Sequence, residues 1–225
     1  MNYTYADIAK MIDHSLLQQT LTDADLEQGC RLACEYDVAS VCIKPYAVRQ
    51  AAAWLAGSTV AVGTTVGFPH GGHTTAVKVA EARQAMEDGA AELDMVVNIG
   101  KVLGNDWRYV AGDIQAVVTA AHRGKALVKV IFENCFLADV HKEQLCRICG
   151  EVGVDFVKTS TGYGATGATD EDLRLMRRCS PAHVQVKAAG GVRTFERLLE
   201  VRAIGVTRVG ATATKAILDE CKARL

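Results

Sequence analysis

Residues 127–160 read LVKVIFENCFLADVHKEQLCRICGEVGVDFVKTS. A short apolar run opens the segment, a stretch with helical spacing fills 138–152, and a second apolar run closes it. Short apolar runs fit buried strands, and two of them joined through a helix make a βαβ unit with parallel strands. The alternation extends in both directions. Strands are expected at 11–16, 40–44, 59–66, 92–98, 127–133, 155–159, 185–188 and 207–209. Helices are expected at 23–36, 46–56, 74–88, 107–122, 138–152, 170–179, 194–204 and 212–224. Thr22 stands at an N-cap, Pro45 at a helix start, and Gly89 and Gly124 at helix ends. Eight strands alternating with helices in 225 residues predict a (β/α)8 TIM barrel with one extra N-terminal helix. The three prolines and the absence of a linker-like stretch favour one domain over 1–225. A doubly wound sheet would carry a Gly-rich dinucleotide loop after its first strand, and no such loop is there.

Charge inside the strands is the anomaly. Lys129 sits in LVKVIFE, Lys158 in DFVKTS and Lys187 in VQVKAA, and Asp13, Asp94 and Glu133 also fall on expected strands. Such residues are rarely buried unless paired. A single strand lysine can point outward and snorkel between helices. Three on consecutive strands, beside three acids, point instead to a charged barrel interior. Lys158 and Lys187 lie near strand C-terminal ends, where barrels place their chemistry. An ordinary lysine, with a pKa of about 10.4, is protonated at neutral pH. Burial and a neighbouring cation both favour the neutral amine, which attacks a carbonyl to form a Schiff base. The resulting iminium withdraws electrons and allows a carbon–carbon bond to break. Asp94 is placed to move protons through water.

A phosphate seat is expected at the same end. Gly190, Gly191, Val192 and Arg193 follow the Lys187 strand, and Gly210, Ala211 and Thr212 follow the last strand. These are the loops after strands 7 and 8, where barrels often hold phosphate on backbone amides and a helix N-terminus. Thr161 and Gly162 add to the seat from the Lys158 loop. The bland alternative is that these glycines only make tight turns. With two strand lysines beside them, the substrate should carry one phosphate and one carbonyl.

Other features narrow the field. A net charge of -1 and a pI near 6.6 give no electrostatic case for nucleic acid or an anionic membrane. No signal-peptide core and no run of about 18 apolar residues is present, so a cytoplasmic location is expected. The eight cysteines fit reduced thiols. Cys146 and Cys149 have CxxC spacing inside a helix, with no second pair and no His at zinc spacing. Cys42, at a strand end, reads as a small core residue. His70 and His73 form an HxxH in a Gly loop, the best ligand pair for a metal-dependent rival, but no third ligand has suitable spacing. An isomerase or another phosphosugar lyase on the same barrel remains an alternative.

The segment Phe156-Val157-Lys158-Thr159-Ser160-Thr161-Gly162 resembles the Schiff-base segment of the deoxyribose-phosphate aldolase family. The likeness is collinear through Ile12–Leu17, Val41–Pro45, Gly67–Gly71, Glu92–Val96, Val128–Glu133, Lys187–Arg193 and Arg208–Gly210. It implies a cofactor-free and metal-free class I aldolase that reversibly cleaves 2-deoxy-D-ribose 5-phosphate to D-glyceraldehyde 3-phosphate and acetaldehyde. By motif position it implies Lys158 as the Schiff-base nucleophile, Lys187 as the lysine that lowers its pKa and Asp94 as the proton relay. It further implies that Asp13 holds a substrate hydroxyl and that the chain forms a homodimer or higher homo-oligomer. Ala213 stands where the family usually has a serine, leaving Thr212 as the remaining hydroxyl and predicting somewhat weaker phosphate affinity. Ser15 replaces a frequent Thr and Ala189 a frequent Ser, both mild changes.

Overall fold

The computed structural model describes residues 3–225. Eight parallel strands close into a barrel in chain order. They are β1 (Ile12–Leu16), β2 (Ser40–Ile43), β3 (Ala61–Val66), β4 (Glu92–Val96), β5 (Leu127–Ile131), β6 (Phe156–Lys158), β7 (Gln185–Ala189) and β8 (Arg208–Ala211). Helix α1 (Tyr5–Ala9) precedes the barrel and packs on the last helix. Then follow α2 (Asp23–Glu35), α3 (Val48–Trp54), α4 (Thr75–Glu87), α5 (Ile99–Leu103) and α6 (Trp107–Arg123). The ring is completed by α7 (Asp139–Val152), α8 (Asp170–Cys179), α9 (Phe195–Ile204) and α10 (Thr214–Ala223). This is the (β/α)8 barrel that the alternating pattern predicts, with its extra N-terminal helix.

Local chemistry sets the ends of these elements. The Thr4 and Thr22 hydroxyls accept from the amides of Asp7 and Asp25, and those carboxylates accept from the cap amides in return. Thr74, Thr169 and Thr194 cap α4, α8 and α9 in the same single-sided way. Gly153 and Gly205 end α7 and α9 at φ +79° and +103°, the left-handed region where glycine has no Cβ penalty.

Strand alternation explains the two faces. Ile12, Val41, Leu93, Val128, Val157, Val186 and Val209 are fully buried and belong to the continuous apolar core under the helices. Burying each such side chain contributes roughly 1.5–3 kcal/mol. The residues between them face the barrel interior and carry the charges.

The structure corrects several expectations. Residues 97–98 are not strand: the Asn98 side chain accepts from the Lys101 amide and caps α5, a helix the sequence reading did not include. Its five residues are too few to show a helical period. Glu133 is not on a strand, because the chain turns left-handed there, at φ +57°. Helix α6 ends at Gly124 as expected, with Lys125 after it taking the left-handed turn at φ +62°. Pro45–Ala47 is a 3-10 turn before a shorter α3. Among the described residues, no helix is long and apolar enough to cross a membrane.

Candidate active site

The barrel interior is charged where apolar branched residues usually stack. Lys158 and Lys187 are directly opposite in the β6–β7 register, so both side chains leave the sheet side by side. Each Nζ lies 2.7 Å from the same atom, Asp94 Oδ2. Lys187 Nζ is also 2.6 Å from Asp13 Oδ2. Lys129, paired in register with Asp94, lies 2.8 Å from Asp94 Oδ1, 2.6 Å from Glu92 Oε2 and 3.4 Å from Asp13 Oδ2. Arg208 Nη1 closes the cluster from β8, at 2.6 Å from Asp13 Oδ1 and 3.0 Å from Glu92 Oε2. Ser40 Oγ donates to Asp13 Oδ1 at 2.7 Å. All three strand lysines therefore point inward, and the outward snorkelling alternative does not occur.

These groups do not titrate alike. Burial lowers the pKa of Lys158; Asp94 opposes this and Lys187 reinforces it, and the result lies below the ordinary lysine range. Burial also acts on Lys187, but Asp13 and Asp94 outweigh it and raise its pKa. Lys129 is raised further against its burial, by Asp13, Asp94 and Glu92. Burial would raise Asp94, yet Lys129, Lys158 and Lys187 hold it well below the carboxylate range. Asp13 is lowered likewise by Lys129, Lys187 and Arg208 against its own burial. The interior is thus a set of fixed ions with one lysine inclined to lose its proton.

A cavity of about 250 Å³ opens above this cluster at the C-terminal end of the strands. Lys158, Lys187 and Asp13 form its floor. Thr161 and Gly162 line it from the loop after β6, and Gly190, Gly191, Val192 and Arg193 from the loop after β7. Gly210 and Thr212 complete the wall. Asp94 does not line it; the carboxylate is sealed beneath the two lysines.

The loops are held by specific contacts. Gly190 and Gly191 take φ +80° and +92°, so consecutive amides can turn into the cavity. A Cβ on Gly190 would lie 2.8 Å from the Gly167 Cα, so this glycine is required by packing as well as by φ. The Ala168 amide donates to the Gly190 carbonyl at 3.0 Å. Helix α10 starts after Ala213 without a side-chain cap, leaving its first amides for another acceptor. Glu133 accepts from the Thr161 amide at 3.2 Å and from its hydroxyl, anchoring the loop after β6. Such a site sets a lysine of lowered pKa below and free backbone amides of glycine loops and a helix start above.

Sequence reasoning missed part of this arrangement. Glu133 is tied to Thr161 rather than to the lysines, and its expected place is taken by Glu92. Arg208 was not singled out as a site residue. A partial signal was there, because Glu92 lies two residues before Asp94, on the same strand face, and Arg208 two before Gly210. Tyr163 was also missed: its hydroxyl donates to the Leu17 carbonyl at 2.7 Å and its ring meets Phe68 edge-on at 5.5 Å, bridging two loops at the cavity mouth. His70 and His73 are exposed, and no cluster of three potential metal-ligating side chains occurs among the described residues.

Comparison with known proteins gives a consistent picture. The sequence profile described as DeoC/LacD family aldolase matches residues 8–219. A curated deoxyribose-phosphate aldolase from Rhodopirellula baltica is 58% identical over 224 residues, covering 100% of this chain and 93% of that protein. One from Clostridium perfringens is 48% identical over 212 residues, covering 94% of each. The solved tetrameric structure of deoxyribose phosphate aldolase from Aeropyrum pernix superposes with a TM-score of 0.90 at 27% identity, covering 99% of this chain and 94% of that one.

Proposed function

The chain belongs to the DeoC/LacD family of aldolases, and we propose from that premise that it reversibly cleaves 2-deoxy-D-ribose 5-phosphate to D-glyceraldehyde 3-phosphate and acetaldehyde. The observation that carries the proposal is the pair Lys158 and Lys187, directly opposite in register, sharing one carboxylate oxygen and flooring a cavity rimmed by glycine loops.

The neutral Lys158 amine adds to the C1 aldehyde of the open-chain sugar, and the adduct loses water to give an iminium. The C2–C3 bond then breaks, its electron pair flowing into the iminium to leave an enamine. The C3 hydroxyl gives up its proton and C3 becomes the aldehyde of glyceraldehyde 3-phosphate. The enamine takes a proton at C2, and water releases acetaldehyde and restores Lys158. Asp94 does not reach the cavity, so it serves the proton transfers through water and Lys187 Nζ, because Lys187 touches Asp94 and lines the cavity. Asp13, on the cavity floor, holds a substrate hydroxyl. The amides of Gly190, Gly191 and the start of α10, with Thr161, Gly162, Val192, Arg193, Gly210 and Thr212 around them, seat the phosphate.

In this proposal residues 1–225 act as one catalytic domain in the cytoplasm, as a homodimer or larger homo-oligomer, without metal or cofactor and without a nucleic-acid or membrane partner. The tetrameric Aeropyrum pernix relative supports the homo-oligomer, and the near-neutral charge supports the lack of a nucleic-acid or membrane partner. The test is acetaldehyde release from 2-deoxyribose 5-phosphate, followed by NADH consumption with alcohol dehydrogenase and repeated with EDTA. Lys158→Ala should lose at least about 1,000-fold in kcat, with EDTA leaving the native protein unchanged. Absence of acetaldehyde release, or native activity in Lys158→Ala, would overturn the proposal.

A further inference from the structure

Below the reacting lysine, Glu92, Asp94, Lys129 and Arg208 form a second layer of charge that does not line the active-site cavity. The interior charges are those of Asp13 on β1, Glu92 and Asp94 on β4, Lys129 on β5, Lys158 on β6, Lys187 on β7 and Arg208 on β8. The faces between them are uncharged: Ser40 and Cys42 on β2, Thr65 on β3 and Phe156 beneath Lys158. Cys42 Sγ is 3.9 Å from Asp94 Oδ2, and burial pushes its thiol up to about 11, so it stays neutral. Glu133, above, faces Thr161.

We propose, building on the Schiff-base function above, that Glu92 and Arg208 are positioning residues whose opposite charges decide which buried lysine is left neutral and reactive. Three carboxylates face four cations when every lysine is protonated. One proton is therefore surplus. Arginine does not give up its proton in proteins. Lys129 contacts Asp13, Glu92 and Asp94, and Lys187 contacts Asp13 and Asp94. Lys158 contacts Asp94 alone, on an oxygen it shares with Lys187. The least compensated cation is the one that faces the substrate. Arg208 creates this shortage by occupying Asp13 Oδ1 and Glu92, with its guanidinium stacked over Phe156 at 5.2 Å. Glu92 works in the opposite direction, holding Lys129 at 2.6 Å and absorbing positive charge that would otherwise press on Lys158.

The two residues therefore have opposite signatures. Without Arg208, three cations face three carboxylates, and Lys158 keeps its proton to higher pH. Without the Glu92 charge, four cations face two carboxylates, and Lys158 loses its proton at lower pH.

The experiment is the pH dependence of kcat/KM for 2-deoxyribose 5-phosphate in native protein, Arg208→Gln, Glu92→Gln, the double variant and Arg208→Lys. The acid limb should move up by about one pH unit in Arg208→Gln and down by about one in Glu92→Gln. The double variant restores the native charge balance and should return toward the native midpoint, and Arg208→Lys should stay close to it. Substrate phosphate ionises identically in all five, so it cancels from the differences. If one single variant fails to fold, the shift of the other against the native midpoint still decides. Limbs that stay put, or move in the same direction in both single variants, would overturn the proposal while leaving the aldolase function intact. No cleavage by the native protein would instead remove the function on which the proposal stands.

Discussion

Replacing Asp94 with Asn should destabilise the barrel and do so in a pH-dependent way. The substitution keeps the shape and removes the charge that three lysines share at 2.7–2.8 Å, in a side chain with no exposure. Removing one partner of a buried pair typically costs about 3–5 kcal/mol. Lys129 keeps Glu92 and Lys187 keeps Asp13, while Lys158 can shed its proton, so the lower end of that range applies here. A loss of about 3 kcal/mol in a chain of this size corresponds to a fall in Tm of roughly 6–12 °C. Asp94 has its pKa lowered by folding, so its contribution is fully present above the unfolded carboxylate pKa. It is lost only as pH falls toward the depressed folded value. The Tm gap between native and variant should thus be constant from neutral pH to about 5 and narrow below about 4. Thermal unfolding followed by circular dichroism measures this directly. A variant within about 2 °C of native at pH 7, well short of the roughly 6 °C minimum, would show that the three lysines do not depend on the Asp94 charge.

Two further outcomes are expected. Gly190→Ala places a Cβ at φ +80° and within 2.8 Å of Gly167, a strain of about 1–2 kcal/mol that should raise KM for the phosphorylated substrate roughly 5- to 30-fold. Turnover of unphosphorylated 2-deoxyribose should change little, and equal losses on both substrates would contradict a phosphate role for this loop. Burial lowers His14 from 6.5 to about 4, so the native ring stays neutral while the unfolded chain takes up a proton below 6.5. Stability tied to His14 should therefore decline as pH drops from 6.5 toward 4; a ring titrating at an ordinary value by NMR would contradict its packing against Thr214 at 2.8 Å.

The barrel was legible because each strand buries an apolar face under the helices while the linking helices keep their Thr caps and glycine stops. The inward lysines were legible for the opposite reason, since charge in a strand demands partners. The partners themselves were only half visible. Glu133 continues the period-two pattern of β5, but the backbone turns left-handed there and removes it from the interior. Glu92 and Arg208 sit at the first positions of β4 and β8, where a charged residue reads equally well as a solvated strand entry. Only barrel closure, which sets β8 beside β1, brings Arg208 to Asp13 across 195 residues. Asn98 and α5 were hidden by their length. The exclusion of Asp94 from the cavity wall follows from Lys158 and Lys187 lying over it and has no sequence signal.

The most direct test of the Schiff base is covalent trapping. The protein is mixed with acetaldehyde and borohydride, and the modified peptide is mapped by mass spectrometry. An ethyl group on Lys158, absent from Lys158→Ala, is the expected result, because that amine alone combines a lowered pKa with a place on the cavity floor. An adduct on Lys187 or Lys129, or none in a protein that still cleaves 2-deoxyribose 5-phosphate, would contradict it.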